Sequence, residues 1–330
     1  MPDSLPDSLP DSSRESSSVS RPDRRSLLLT LGTTSAFLAA RGAAAIGAPE
    51  RIPLWPGEPP GGGGPQGPLV RDDSGAVTNV ALPVLEVYAP ENPTGVAVLV
   101  AGGGGYARIG MVKEALPAAL WLAAQGITAF VLTYRLPREG WTAGALAPLQ
   151  DGQRALRLIR AGAARFRIDP ARLGVLGFSA GGHLCGMLAA RAAFRAYDPV
   201  DAADDLSARP DFATLIYPVV SLEPPYDRTT TRRVLVGEAP SPEASRDWSL
   251  HTHIRSGCPT LFLVQADDDP VISPEHSRVL DAACRAAGVP VEYHRFAVGG
   301  HGFGIGRSEA PVALWPRLCR LWLTSVAVMR

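Results

Sequence analysis

The chain has 330 residues, 46% of them hydrophobic, ample for one large core or at most two domains. Charged residues make up 19% and balance to a formal net charge of +0, which argues against a basic nucleic-acid stripe and against an acidic solvating tail. The four cysteines (Cys185, Cys258, Cys284, Cys319) are far apart and no His/Cys cluster has metal-ligand spacing, so neither a zinc site nor a disulfide framework is expected, only buried free thiols unless one pair meets in the fold.

Residues 1–23 are rich in Ser, Pro and Asp and predict disorder. Arg24-Arg25-Ser26-Leu27-Leu28-Leu29 opens an apolar stretch to about Ala40, with small residues from Ala43 to Ala48. Charged, apolar and small-residue regions in that order are the layout of a signal peptide. The arginine pair resembles a twin-arginine export signal, with Asp23 where Ser or Thr is usual and Leu27-Leu28 in place of Phe-Leu. The apolar run is shorter than the roughly 20 residues that span a bilayer. Residues 1–48 are therefore expected to lie outside a single folded domain, 49–330, and to direct export to the periplasm or the medium.

Within that domain, residues 51–76 are dominated by Pro and Gly and read as an extended loop. Val77 to Tyr88 predicts one or two strands, and Thr94 to Ala101 is an apolar run typical of a strand covered on both faces. Gly102-Gly103-Gly104-Gly105-Tyr106 follows directly. Helices are expected over 115–125 and 149–166, with a buried strand at 127–134 between them. The run Leu173 to Phe178 predicts a strand, and Leu184 to Ala193 a helix. Further strands are expected at 212–222, 259–265 and 291–296, and helices at 274–287 and 311–328. The stretch 232–254 reads as irregular and polar. Alternating strands and helices without an internal repeat call for an α/β fold: a mostly parallel sheet with helices on both faces.

The strand at 173–178 ends in Gly177-Phe178-Ser179-Ala180-Gly181, a G-x-S-x-G elbow in which the chain reverses sharply and pushes Ser179 out at the strand's carboxyl end. The glycines let strand and helix approach closely. A serine hydroxyl needs a base within hydrogen-bond reach, and the base needs an orienting acid. Two later strands end in chemistry-bearing loops: Ala266-Asp267-Asp268-Asp269-Pro270 and Gly299-Gly300-His301-Gly302. The order Ser, Asp, His, each at a strand exit, makes Ser179 the candidate nucleophile and His301 the candidate base. Any of Asp267, Asp268 and Asp269 could supply the acid. The backbone N–H of Ala180 and those of the glycine loop are candidate donors to a developing oxyanion. His183 is read as packing or capping, His251 and His253 as possible pocket lining, His276 and His294 as surface or packing, and Glu223 as an alternative acid.

The chain resembles the acetyl-xylan-esterase-like members of the α/β-hydrolases, relatives of feruloyl esterases and of hormone-sensitive-lipase-like esterases. The resemblance is carried in order by Leu54-Trp55-Pro56-Gly57, Gly103-Gly104-Gly105-Tyr106 with Glu114 and Trp121, Tyr134-Arg135-Leu136, Pro148-Leu149-Gln150-Asp151 with Arg154-Ala155, Ile168-Asp169-Pro170, the stretch 177–183, Ala266 to Asp269, and the stretch 299–303. It implies an α/β-hydrolase fold with Ser179 as nucleophile, His301 as base, Asp268 or Asp269 as acid, and Gly104, Gly105 and Ala180 as the oxyanion hole; the family's spacing, counted back from Val271-Ile272-Ser273-Pro274 at the start of the next helix, favours Asp269. Gly102 stands where Pro or His usually precedes the three glycines. Arg135 and Asp151 match family positions and are taken as a buried structural ion pair. The implied activity is deacylation of a small or carbohydrate ester through an acyl-enzyme. No metal or organic cofactor is expected, no nucleic-acid partner, and no stable membrane insertion after signal removal. The alternatives are a prolyl-oligopeptidase-type peptidase, which shares the order of the three residues but needs a propeller this chain has no room for, and a non-catalytic binding protein on the same scaffold.

Overall fold

The computed structural model describes residues 49–306 and 309–326; the expected leader at 1–48 lies outside them. The elements in chain order are β1 (Glu50–Pro53), β2 (Val70–Arg71), β3 (Val77–Thr78), β4 (Val84–Tyr88), β5 (Ala97–Ala101), α1 (Leu116–Ala124), β6 (Thr128–Thr133), α2 (Leu146–Ala161) and α3 (Ala163–Phe166). Then come β7 (Leu173–Phe178), α4 (Ser179–Ala190), β8 (Phe212–Ile216), α5 (Thr230–Val236), α6 (Pro242–Asp247), β9 (Thr260–Ala266), α7 (Glu275–Ala286), β10 (Val291–Phe296) and α8 (Trp315–Ser325).

Eight strands form one sheet in the order β1-β4-β6-β5-β7-β8-β9-β10, and β2 pairs with β3 separately. Strands β1, β4 and β6 alternate in direction, and every pair from β6 to β10 is parallel. Every residue of β5, β6, β7 and β8 is buried. Because successive side chains point to opposite faces, this means that both faces are covered, which is why these strands read as unbroken apolar runs. The expected mostly parallel sheet with helices packed on it is the observed architecture.

Register sets the site. Ala101 lies opposite Gly177, Phe178 opposite Ile216, Ile216 opposite Val264, and Ala266 opposite Phe296. The loops after β5, β7, β9 and β10 therefore leave the sheet along one edge.

Several boundaries differ from the sequence reading. Strand β1 and the β2–β3 hairpin arise inside or beside the stretch read as an extended loop. The strand expected over 212–222 stops at Ile216, where Tyr217 takes φ +39° ahead of Pro218. The helix expected from Leu184 begins at Ser179. The helix expected over 149–166 starts at Leu146 and breaks at Gly162. The stretch 232–254 holds α6 and most of α5, whose Ser241 and Thr229 caps accept from the N–H groups of Ala244 and Arg232. Arg135 and Asp151, both fully buried, form an ion pair at 2.9 Å that ties the end of β6 to α2, and Trp55 donates to the same carboxylate at 2.8 Å. The four cysteines stand unpaired.

Candidate active site

The elbow is built by close backbone approach. A Cβ on Gly177 would sit 2.2 Å from the Gly181 carbonyl oxygen, and one on Gly181 would sit 2.3 Å from the Ala101 oxygen. Neither contact can relax without moving backbone, so both positions need glycine. Between them Ser179 takes φ +50°, a left-handed conformation that costs a non-glycine residue about 1–3 kcal/mol and is held by the packing around it. The serine opens α4, and the N–H of Ala180, in the first turn, has no acceptor four residues back.

Oγ of Ser179 lies 3.0 Å from Nε2 of His301. Nδ1 of the same ring lies 2.7 Å from Oδ2 of Asp269. The structure thus lines up three residues that are 122 and 32 positions apart in sequence. The three consecutive aspartates have separate places. Asp267 pairs with Arg295 at 2.9 Å and with Arg278. Oδ1 of Asp268 accepts from the N–H groups of Gly299 (2.8 Å) and Gly300 (2.7 Å), which fixes the loop that presents His301. Asp269 faces the imidazole: its side chain is fully buried, and its Oδ1 accepts from the N–H groups of Val271 (2.8 Å) and Ile272 (2.9 Å). Gln265, which the sequence reading passed over, donates Nε2–H to Oδ2 of Asp269 at 3.1 Å. Ser277 donates to the other end of that amide at 3.0 Å and so sets its orientation. A buried glutamine one residue before the end of a mostly apolar strand was the available signal.

The glycine loop crosses in front of Ser179. The N–H of Gly103 is taken by Oε2 of Glu114 at 2.7 Å. The N–H groups of Gly104 and Gly105 donate to no atom among the described residues. Gly104 turns through φ +121°, a value only glycine adopts easily, and a Cβ there would meet the Arg108 carbonyl at 2.3 Å. Of the loop's amides, then, those of Gly104 and Gly105 stand open beside Ser179, together with that of Ala180. Gly104 and Gly105 line a cleft of about 770 Å³ whose wall also includes Ser179, His301, Asp72, Arg108, Arg228 and Thr230, and Ala180 lies buried directly behind Ser179.

The other histidines are placed elsewhere. His183 is buried between the Tyr106 hydroxyl (2.9 Å) and the Trp248 carbonyl (2.8 Å), and burial pushes its pKa down to about 4. His276 is buried, accepts from the N–H groups of Val220 and Ser221, and is likewise pushed down to about 4 by burial. His251 lies 3.6 Å from Glu223, and His253 reaches the Asp247 carbonyl. Neither lines the cleft, contrary to the pocket role expected for them, and Glu223 does not approach His301. His294 pairs with Glu292 at 2.7 Å.

Comparison with known proteins adds to this geometry. The BD-FAE family model matches residues 85–284. An endo-1,4-beta-xylanase B of Butyrivibrio fibrisolvens is 33% identical over 216 residues, which cover 64% of this chain and 33% of that protein. An acetylxylan esterase of Xylanibacter ruminicola is 30% identical over 223 residues, covering 66% of this chain and 43% of that protein. The chain therefore spans less than half the length of these curated relatives. Among solved structures, an acetyl ester-xyloside bifunctional hydrolase from Caldicellulosiruptor lactoaceticus shares 33% identity at a TM-score of 0.72, over 86% of this chain and 98% of that one. A thermophilic esterase from Thermogutta terrifontis with propionate bound, 22% identical at a TM-score of 0.64 over 79% of this chain and 95% of that one, shares the fold.

Proposed function

This chain belongs to the BD-FAE family, and from that premise we propose that it is a serine esterase that removes acetyl groups from a carbohydrate of the xylan type. The observation that carries the proposal is the continuous line Ser179–His301–Asp269, at 3.0 and 2.7 Å, opening into a cleft beside unpartnered N–H groups. As Oγ of Ser179 attacks the ester carbonyl carbon, its proton passes to Nε2 of His301. The resulting imidazolium is stabilised by the Asp269 carboxylate, which also fixes the tautomer with Nδ1–H. The negative charge that develops on the carbonyl oxygen is met by the N–H groups of Ala180, Gly104 and Gly105, at the N-terminal end of α4. Collapse of the tetrahedral intermediate releases the sugar alkoxide, which takes the proton from His301. Water, deprotonated by the same imidazole, then attacks the acyl-serine, releases the carboxylic acid and restores Ser179.

The substrate class rests on the acetylxylan esterase and the acetyl ester-xyloside hydrolase among the relatives, and on a cleft wall rich in charged and hydroxyl side chains suited to a sugar. A panel of 4-nitrophenyl acyl esters, acetylated xylo-oligosaccharides and a prolyl-peptide substrate tests it. Acetyl esters should turn over faster than longer acyl chains, and acetate should be released from the oligosaccharide. Cleavage of the prolyl peptide without activity on acetyl esters would replace the esterase reading with the peptidase one. We also propose export by the twin-arginine route through Arg24-Arg25. Lysine at both positions should leave the precursor in the cytoplasm, and equal export of a fused reporter without the arginines would reject that route.

A further inference from the structure

Two loops must hold the same register for this chemistry: the glycine loop after β5 and the His301 loop after β10. One buried carboxylate lies between them. Residues Met111–Ala115 form a single π-helical turn just past the glycine loop, and irregular turns of this kind often mark functional sites. The turn carries Glu114 beneath the glycines, where it is only 8% exposed. Its Oε2 accepts from the Gly103 N–H at 2.7 Å, and its Oε1 accepts from the Tyr217 hydroxyl at 2.9 Å.

Tyr217 is held as firmly. It follows β8 with φ +39°, and its own N–H donates to the Val264 carbonyl at 2.8 Å. Its hydroxyl also accepts from the N–H of Gly304, three residues past His301, at 3.0 Å. Its ring meets the His301 imidazole edge-on at 4.8 Å between centroids, and Phe303 at 4.4 Å. Trp315 closes the far end by donating to the Gly304 carbonyl at 2.9 Å. A continuous path thus runs from the Gly103 amide through Glu114 and Tyr217 to Gly304. Neither Glu114 nor Tyr217 hydrogen-bonds to Ser179, His301 or Asp269.

Burial pushes the Glu114 carboxyl up, while the Gly103 amide, the Tyr217 hydroxyl and the nearby His301 and Lys113 charges oppose the rise. Holding an acidic group in such a place is costly, and a hydrocarbon would fill the same volume more cheaply. What a hydrocarbon lacks is an acceptor. By fixing the Gly103 amide towards itself, Glu114 sets the orientation of the loop in which the next two N–H groups stay open.

We propose that Glu114 and Tyr217 are positioning residues that lock the glycine loop to the His301 loop, so that transition-state stabilisation depends on their hydrogen bond while substrate binding does not. The proposal rests on the esterase reading above. Tyr217→Phe keeps the ring against His301 and removes only the hydroxyl; Glu114→Gln keeps the volume and loses one acceptor. Each should lower kcat by about 10- to 100-fold with KM within about threefold, the pattern of an interaction realised only in the transition state. The double variant should lose little more than either single variant, because both break one link. Each variant is assayed well below its thermal midpoint with the folded fraction checked by circular dichroism, since a purely structural role would lower the midpoint and leave kcat alone. Ser179→Ala is run alongside: if it leaves wild-type ester hydrolysis intact, the esterase reading fails. If hydrolysis does depend on Ser179 but both variants keep kcat within twofold, or raise KM instead, or lose activity independently, the positioning inference alone is overturned. Should Glu114→Gln not fold, the kcat and KM of Tyr217→Phe decide the matter.

Discussion

Asp269→Asn probes the acid at a single atom. Oδ1 of Asp269 receives two backbone N–H groups, from Val271 and Ile272, whereas Oδ2 faces His301 at 2.7 Å and the Gln265 amide at 3.1 Å. An asparagine must place its one oxygen on one side. Turning NH₂ towards the two backbone donors would leave both unpaired in a buried site, at about 1–3 kcal/mol each. The oxygen therefore stays at the Oδ1 position, and the NH₂ points at His301 and at Gln265, which Ser277 holds in place. His301 can accept that hydrogen bond only through an unprotonated Nδ1, which moves its proton to Nε2. In that tautomer the ring donates to Ser179 and cannot take its proton. The expected loss in kcat is about 10⁴-fold, or roughly 5 kcal/mol of barrier, with KM little changed. Hydrolysis of 4-nitrophenyl acetate, normalised to folded protein by circular dichroism, measures it. A variant that keeps more than a tenth of the wild-type kcat would refute the reasoning.

Three further outcomes are expected. Asp268→Asn retains an oxygen that can accept from both Gly299 and Gly300, so its kcat should stay within about threefold of wild type; a loss as large as that of Asp269→Asn would move the acid to Asp268. Gly181→Ala forces a Cβ to 2.3 Å from the Ala101 carbonyl oxygen, and expression should give little or no soluble folded protein; a well-folded active variant would show that the elbow can widen. His183 and His276 are held neutral, with pKa values pushed down to about 4 from an unfolded value near 6.5. The unfolded chain therefore binds more protons between those limits, and stability is lost as pH falls through that window, by at most about 3 kcal/mol per histidine. Urea midpoints measured between pH 7 and 5 should drop more steeply for wild type than for His183→Gln or His276→Gln, and identical slopes would reject the assignment.

The parts of the fold that were legible in the sequence are those in which local pattern and burial coincide. Strands β5, β6 and β7 are buried on both faces, so each is an uninterrupted apolar run bounded by turn residues. The elbow was legible because its five residues form a local pattern, although Gly181 also answers to the Ala101 carbonyl of β5. Asp269 could be favoured over Asp268 only through the resemblance, by counting the family's spacing back from the start of α7. What remained hidden depends on contacts distant in sequence. The start of α4 at Ser179 is stabilised by packing across β5 and β8, while its Gly181-Gly182 pair carries a poor helix propensity. Helices α5 and α6 have seven and six residues, too few to show a period, although the Ser241-Pro242-Glu243 capping pattern was there to be read. Tyr217 falls inside an apolar run that reads as continuing strand. Its partners, Glu114 at 103 residues' distance, Val264 and Gly304, all lie far from it in sequence.

Covalent labelling reports on the nucleophile itself. Wild-type protein and Ser179→Ala are incubated with a serine-directed organophosphorus probe, digested and mapped by mass spectrometry, while acetyl-ester hydrolysis is followed in parallel. One adduct is expected, on Ser179, forming in step with loss of activity, and a Ser179→Ala variant that is folded, unlabelled and slower by about 10³- to 10⁶-fold in kcat. An adduct on another residue with Ser179 unmodified, or a Ser179→Ala variant that keeps more than a tenth of the activity, would contradict it.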